Sequence, residues 1–371
     1  MPKNPRNIRM QDVADHIGIS VSTVSRSLSR PDMVSAKVKT LIDNAVEELG
    51  YRRLRQSAAL KGINNGMTGH DMEIGKVGLL MPKSICQAVA APNGVHHWDP
   101  LFTSVLKEVE DAGGRLALMA CDRHGQENTP SIIEREQVSG LLIGFSPSEH
   151  DLHWLETLAK RLPVVALNTI IPHPPIPSIA VDNRLMMYKA VGRLRELGHS
   201  RIAFFGVGEN YPNLDLYEHF HALERRHYYT EALRFNGLAI DPELCKAETF
   251  ALGEHAPAIE ATMQRMMSLP EPPTAIISSL GTMPCFFDVI ARMKLRAPND
   301  LSLLATDEAS LAEMMPCPLT TIGSNHPQGA HLAVELLIKM IRNHRQLSNN
   351  VQYIRFEPLL TERASLAPPR Q

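Results

Sequence analysis

Val21, Ser22, Thr23, Ser25 and Arg26 carry side chains that suit a DNA groove. An apolar side chain can meet a thymine methyl, hydroxyls can reach phosphates, and a guanidinium can grip guanine O6 and N7 with two bonds. No carboxylate falls between Ser20 and Arg30. To use these groups, the chain must hold them on one exposed helical face. Val13, Ala14 and Ile17 share a face of a helix starting near Met10, and Gly18 supplies the left-handed turn that ends it. Ser20 stands where an N-cap is wanted, and Val24 and Leu28 mark the inner face of the helix that follows. A third helix begins after Ser35 and puts Val38, Leu41, Ile42, Ala45, Val46 and Leu49 on one face. Two helices joined by Gly-Ile-Ser and braced by a third predict a helix-turn-helix, whose second helix enters the major groove by its N-terminal end.

Charge agrees with this placement. Residues 1–62 hold 11 Lys and Arg against 6 Asp and Glu, and the remaining residues hold 27 against 34. A basic end on an acidic body fits a polyanion-binding module attached to something else. A solvated basic tail would share the charge but not the apolar periodicity.

Enzyme chemistry is harder to find. Gly206-Val207-Gly208 follows a strand-like run, but Tyr211 stands where a dinucleotide fingerprint needs its third glycine, and neither a P-loop nor a G-x-S-x-G occurs. His219, His221, Glu224 and His227 fall on one predicted helix; they are read as solvated histidines near a cleft, with His221 and Glu224 at i, i+3 as the alternative metal pair. His96-His97-Trp98 lies in a loop that reaches ligand or partner, or is loop alone. The five cysteines, Cys86, Cys121, Cys245, Cys285 and Cys317, lie far apart with no C-x-x-C pair, which argues against a disulfide framework and a structural zinc site. No cofactor and no metal are expected. The sequence shows no membrane-spanning run and no secretory signal at MPKNPRNIRMQD, so a cytoplasmic protein is expected.

With 371 residues and 44% hydrophobic side chains, there is room for two or three domains and a sizeable core. The Gly- and Asn-rich stretch KGINNGMTGHDMEIG predicts a linker over residues 61–74. After it, short apolar runs alternate with helical patterns: KVGLLM, LFTSVLKEVEDA, RLALM, GLLIGF, HWLETLA, PVVAL and SIAV. The pattern then restarts with LMMYKAVGRLREL, RIAFFG, YYTEALRF, TAIISS, FFDVIARM and LSLLAT. Such alternation predicts parallel sheets covered by helices, in two α/β lobes. The organisation expected is a headpiece at 1–60, a linker at 61–74 and a two-lobed body at 75–371.

The stretch DVADHIGISVSTVSRSLSRPDMVSAKVKTLIDNAVEELGY, with the later Ala-Ala-Leu, resembles the headpiece of the lactose-repressor family of bacterial transcription factors. The body resembles that family's effector-binding core, which is similar to periplasmic sugar-binding proteins. DPLFTSVL, Val138-Ser139-Gly140-Leu141-Leu142, Val181-Asp182-Asn183, Leu197-Gly198-His199 and Pro318-Leu319-Thr320-Thr321 carry that likeness. The implied fold is an all-α helix-turn-helix headpiece plus an α/β, two-lobed, periplasmic-binding-protein-like core with parallel sheets. The implied function is a sequence-specific, ligand-responsive regulator, a repressor, binding operator DNA as a homodimer. Its alternatives are a DNA binder without small-molecule control and an α/β enzyme with an appended DNA-binding module.

By the same resemblance, Val21 and Ser22 are the variable base-reading positions and Arg26 a base-reading arginine. Thr23, Ser25, Ser35 and Tyr51 contact phosphate, and Leu60 is the hinge-helix wedge of the minor groove, where wedging unstacks and kinks a base step. Arg9 stands where the family caps its first helix with Thr, and Arg53-Leu54 replace the hinge's Pro-Asn. For the effector, the resemblance implies Arg225, in Arg225-Arg226-His227-Tyr228-Tyr229, and Asp307, in Ala305-Thr306-Asp307-Glu308; the alternative is an interdomain ion pair. Phe102 is a ring-stacking position or a core residue. Two further contacts are replaced, by Leu280-Gly281 and Asn168-Thr169, so the pocket is expected to be rebuilt. A hexose or pentose derivative is the first choice of effector; a nucleoside, a uronate or none are the others. The chain is expected to cross between lobes near 166–183, 316–324 and 346–352. The helix after Pro327, with Ala330, Ala333, Val334, Leu336, Leu337 and Met340, is expected to be core, interface or both.

Overall fold

The computed structural model describes residues 10–20, 23–24, 36–49, 74–83, 86, 99–121, 129–145, 147, 149–171, 173, 175–207, 216–248, 255–307, 311–343 and 352–370. The chain divides into two compact units, Met1–Lys61 and Gly62–Gln371.

In the smaller unit, α1 (Met10–Ile17) stops at Gly18, whose φ of 67° is the left-handed turn its position required. Ser20 then acts as the N-cap: its Oγ accepts from Thr23 N at 3.2 Å. α2 (Ala36–Leu49) packs on α1, and Val13, Ala14, Val24, Ile42 and Ala45 form a small closed core. Leu41, expected on that inner face, is 44% exposed. The buried stripe runs through Ile42 and Ala45, and Leu41 is turned about 100° from Ile42 around a 3.6-residue helix.

The larger unit holds two lobes. The first sheet has the order β11-β5-β4-β3-β1-β2 and is parallel throughout, built from β1 (Lys76–Pro82), β2 (Arg115–Cys121), β3 (Gly140–Ile143), β4 (Val164–Leu167), β5 (Ser178–Val181) and β11 (Tyr353–Phe356). The second has the order β12-β10-β9-β8-β6-β7, from β6 (Ile202–Val207), β7 (Cys245–Glu248), β8 (Ala275–Ser279), β9 (Ser302–Thr306), β10 (Thr320–Gly323) and β12 (Leu359–Thr361), and only β12 is antiparallel. The inner strands of both sheets are buried on two faces, which explains their unbroken apolar runs. In the first, Leu79, Leu142 and Val165 face one core cluster, while Leu80, Leu141 and Val164 face another.

Helices cover these faces: α3 (Asp99–Asp111), α4 (Thr129–Glu136) and α5 (Glu149–Ala159), then α6 (Asn183–Glu196), α7 (Leu216–Phe235), α8 (His255–Met267), α9 (Met283–Arg292) and α10 (Leu311–Met314). α11 (His326–Arg342) returns to the first lobe, packs on α3, β3 and β4, and buries Ala330, Ala333, Val334, Leu336, Leu337 and Met340, so its apolar face is core. None of the described helices is long and apolar enough to cross a membrane.

The chain passes between lobes at Asp182–Asn183, after β5, and again at Ser324–Asn325, after β10. The third crossing lies at Glu357–Pro358, between β11 and β12, and not at 346–352 as expected. The reason is that β11 still pairs with β5, so the first lobe keeps the chain through Phe356. Each sheet reverses its winding between β1 and β3, or β6 and β8, and open α/β sheets bind ligands at the carboxyl ends beside such a reversal.

Candidate functional site

Three crossings need the lobes to meet, and where they meet the structure buries polar groups. Asp182 caps α6 by accepting from Leu185 N at 2.9 Å, which fixes Asn183 as the first residue of the helix, fully buried. α7 runs alongside α6 and presents His221, Glu224 and Arg225, at i, i+3 and i+4, on one face. β9 ends at Thr306, and Asp307 follows at φ 81°; β4 ends at Leu167, and Asn168 follows at φ 64°. Two non-glycine residues in the left-handed region, each at the end of a strand, mark backbone held in a costly conformation by its surroundings.

Arg225 is the centre of the group. Its guanidinium forks onto Asp307, Nη2 to Oδ1 at 2.7 Å and Nη1 to Oδ2 at 3.1 Å, while Nη1 also donates to Thr306 Oγ1 at 3.0 Å. Its Nε donates to Asn183 Oδ1 at 3.2 Å. Asn183 Nδ2 donates in turn to His221 Nδ1 and Glu224 Oε2, both at 2.8 Å. His221 Nε2 meets the Asn168 carbonyl at 2.8 Å, which assigns its proton to Nε2. Glu224 takes a two-bond fork from Arg355 of β11, at 2.7 and 3.1 Å. His221–Asn168 and Glu224–Arg355 therefore tie the second lobe to the first, and Ser324 Oγ, at the second crossing, reaches Asn168 Oδ1 at 3.4 Å.

The electrostatics follow from this packing. Burial pushes His221 down to about 4, helped by the Arg225 charge, so the ring is neutral near neutral pH. Burial alone would raise Glu224, but the hydrogen bonds from Arg355 and Asn183 outweigh it and hold the carboxyl below its usual range. Glu224 also raises Arg355 above the ordinary guanidinium value.

The structure brings Arg225 and Asp307 together at a strand end, with Asp307 one-third exposed and Arg225 nearly buried. It places Phe102 half-buried on α3, packed against the main core. His221 is buried rather than solvated: the face it shares with Arg225 points inward, and both ring nitrogens are bonded within the protein. His227 is exposed. Among the described residues no group of three or more His, Cys, Asp and Glu is placed to hold a metal. Thr23 is described at the start of the second headpiece helix, its Oγ1 within 2.8 Å of Ser20 Oγ. Val21, Ser22, Ser25, Arg26, Ser35, Tyr51 and Leu60 lie outside the described residues, as do His96-His97-Trp98.

Sequence reasoning did not single out Asn183, Thr306, Ser324 or Arg355. The available signal for Asn183 was its place directly after an apolar strand and an Asp able to cap. Asn168 was read only as a lost contact; in the structure its carbonyl joins the lobes.

Comparison with known proteins agrees with both units. The family described as bacterial regulatory proteins, lacI family, matches residues 9–53, and the periplasmic binding protein-like domain matches residues 191–366. The HTH-type transcriptional repressor CytR of Escherichia coli (strain K12) is 28% identical over 349 residues, covering 90% of this chain and 89% of the repressor. The ribose operon repressor of the same organism is 24% identical over 366 residues, covering 96% and 99%. Among solved structures, the lac repressor dimer bound to operator and the anti-inducer ONPF has a TM-score of 0.62 at 19% identity, covering 98% of this chain and all of that one. The transcriptional regulator CelR–cellobiose complex has 0.60 at 21%, covering 96% and 99%. At these identities the structural matches establish the fold: a helix-turn-helix headpiece and a two-lobed core with mostly parallel sheets.

Proposed function

We propose that the chain is a lacI-family, cytoplasmic, homodimeric repressor whose operator affinity is set by a neutral polyhydroxylated molecule bound between its lobes. The observation that carries this reading is the Arg225–Asp307 pair at the end of β9, its carboxylate one-third exposed, in a chain whose amino-terminal residues match a DNA-binding family. A sugar hydroxyl donates to a carboxylate and accepts from a guanidinium, so one pair can grip a diol. The repressor relatives include one named for ribose, and a structural neighbour is a cellobiose complex, which supports a sugar.

Charge narrows the class. Within the described cluster, Asp307 neutralises Arg225 and Glu224 neutralises Arg355, so each cation already faces a carboxylate. A uronate or phosphate would have to compete with those carboxylates, whereas a neutral sugar or nucleoside would not. Phe102, half-buried on α3 against the core, takes the ring-stacking role that the family resemblance gives its position.

On the DNA side, Val21, Ser22 and Arg26 read bases, Thr23, Ser25, Ser35 and Tyr51 hold phosphates, and Leu60 wedges the minor groove. Residues 1–60 form the headpiece, 61–74 the linker and 75–371 the effector and dimerisation domain. The protein acts by binding, without catalysis. Two-fold symmetry follows because one helix-turn-helix reads few base pairs, and a dimer matches a pseudo-palindromic site. Selection of bound duplexes from a random pool by the full-length protein tests this: it should enrich one inverted repeat with half-sites about one helical turn apart. Absence of any enriched repeat would overturn the DNA-binding reading.

A further inference from the structure

A directional chain of hydrogen bonds runs from the second lobe to the first. Arg225 Nε donates to Asn183 Oδ1, Asn183 Nδ2 donates to His221 Nδ1, and His221 Nε2 donates to the Asn168 carbonyl, at 3.2, 2.8 and 2.8 Å. Bonds arranged head to tail polarise one another, and every link lies in the protein interior. The orientation of the Asn183 amide is fixed at both ends. Its oxygen faces Arg225, and its nitrogen has two acceptors, His221 Nδ1 and Glu224 Oε2. His221 accepts at Nδ1 only while neutral and protonated on Nε2; a charged ring would turn an N–H onto the Asn183 amide nitrogen.

We propose that His221 is a positioning residue: through Asn183 it sets the Arg225 guanidinium of the second lobe according to where the Asn168 carbonyl of the first lobe stands. Pocket geometry and interlobe geometry are thereby fixed together. This rests on reading Arg225 and Asp307 as effector contacts. A shift of the lobes that withdraws the Asn168 carbonyl frees the His221 ring to change tautomer or turn. Asn183 then keeps only Glu224 as acceptor for its amide nitrogen, so the amide pivots toward Glu224 and the Nε contact of Arg225 moves with it, while Asp307 and Thr306 hold the rest of the guanidinium. The charged groups acting on the ring are Arg225, Asp307 and Glu224, the last of them tied to Arg355 from β11. Asn168 sits in the left-handed region with its carbonyl turned toward α7, and that placement makes the link possible.

The test uses the full chain, labelled with nitrogen-15 in histidine rings and arginine side chains, with no effector added. The ring signal lost in His221→Asn should report a neutral ring with its proton on Nε2 from pH 7 to pH 5, and Asn183→Ala should displace it. The Arg225 Nε–H signal, identified by its loss in Arg225→Lys, should shift in His221→Leu. It should move back toward the wild-type position in His221→Asn, whose amide oxygen replaces the Nδ1 acceptor. A charged ring at pH 5, the Nδ1–H tautomer, or an Arg225 signal indifferent to His221→Leu would overturn the proposal. Should His221→Leu fail to fold, the response of the ring signal to Asn183→Ala decides, and no displacement refutes it. Because no effector takes part, this result and the regulator reading stand or fall separately.

Discussion

Acidification should weaken the core through His221, and the size of the effect follows from its burial. The ring has an ordinary value of 6.5 and is held at about 4 in the folded chain, because burial and the Arg225 charge disfavour its cation. The unfolded chain therefore binds a proton below pH 6.5 that the folded chain refuses until about pH 4, so stability falls as pH drops through that window. Within it the slope is about 1.4 kcal/mol per pH unit, and from pH 7 to pH 5 the share of His221 is about 2 kcal/mol. His199, also pushed down by burial, adds a loss of the same sign elsewhere in the fold, so a comparison is needed. Urea unfolding of the full chain and of His221→Asn, followed by far-ultraviolet circular dichroism at pH 7 and pH 5, supplies it. The wild type should lose about 2 kcal/mol more than the variant over that interval. Equal losses would mean that His221 is solvated or charged in the folded state, and the buried network as described would be wrong.

Replacing Arg225 with Met removes the two-bond fork onto Asp307 and the bonds to Asn183 Oδ1 and Thr306 Oγ1; since Asp307 is one-third exposed, the cost should be about 3 kcal/mol in the same urea assay, and an unchanged midpoint would contradict the geometry. Gly18→Ala should cost about 1 kcal/mol in the thermal unfolding of the headpiece unit, because φ is 67° while no atom lies within 4 Å of the added Cβ; a larger loss would mean a clash. On DNA, Arg26→Ala should reduce discrimination by about 1–3 kcal/mol at one base position, read by competition among single-base variants of the selected site. Unchanged discrimination there would mean that the second helix docks otherwise.

Much of this molecule was legible because its signals are local. Each strand of the first lobe before β11 stood out as an apolar run, since sheets covered on both faces require one, and Gly18 and Ser20 carry the helix-turn-helix corner by their own conformational chemistry. β11 and β12 were not read, since YIRF and LLT are short edge segments with half-exposed side chains and little periodicity. Missing β11 displaced the third crossing. The site was half legible: Arg225 and Asp307 are named from motif position with an interdomain ion pair as the alternative, yet their fork lies within the second lobe, where α7 meets the end of β9, and the burial of His221 depends on how α6 lies along α7. No spacing within one helix reveals that Asn183, 42 positions from Arg225, supplies the acceptor for its Nε. Asn168 illustrates the same limit, because its function comes from a backbone carbonyl and not from its residue type.

The account turns on linkage between the cleft and the operator, and a reciprocal titration tests it most directly. The selected duplex is titrated with the full-length protein, with and without each member of a panel of neutral sugars, nucleosides, uronates and sugar phosphates, and the responsive compound is then titrated with and without duplex. By linkage, whatever factor the compound imposes on DNA affinity must return as the same factor on its own affinity. The account predicts one neutral compound with equal factors in the two directions, both lost in Arg225→Met. A tight operator complex that no compound shifts would contradict control through the cleft, and response only to an anionic compound would contradict the charge-neutral pocket.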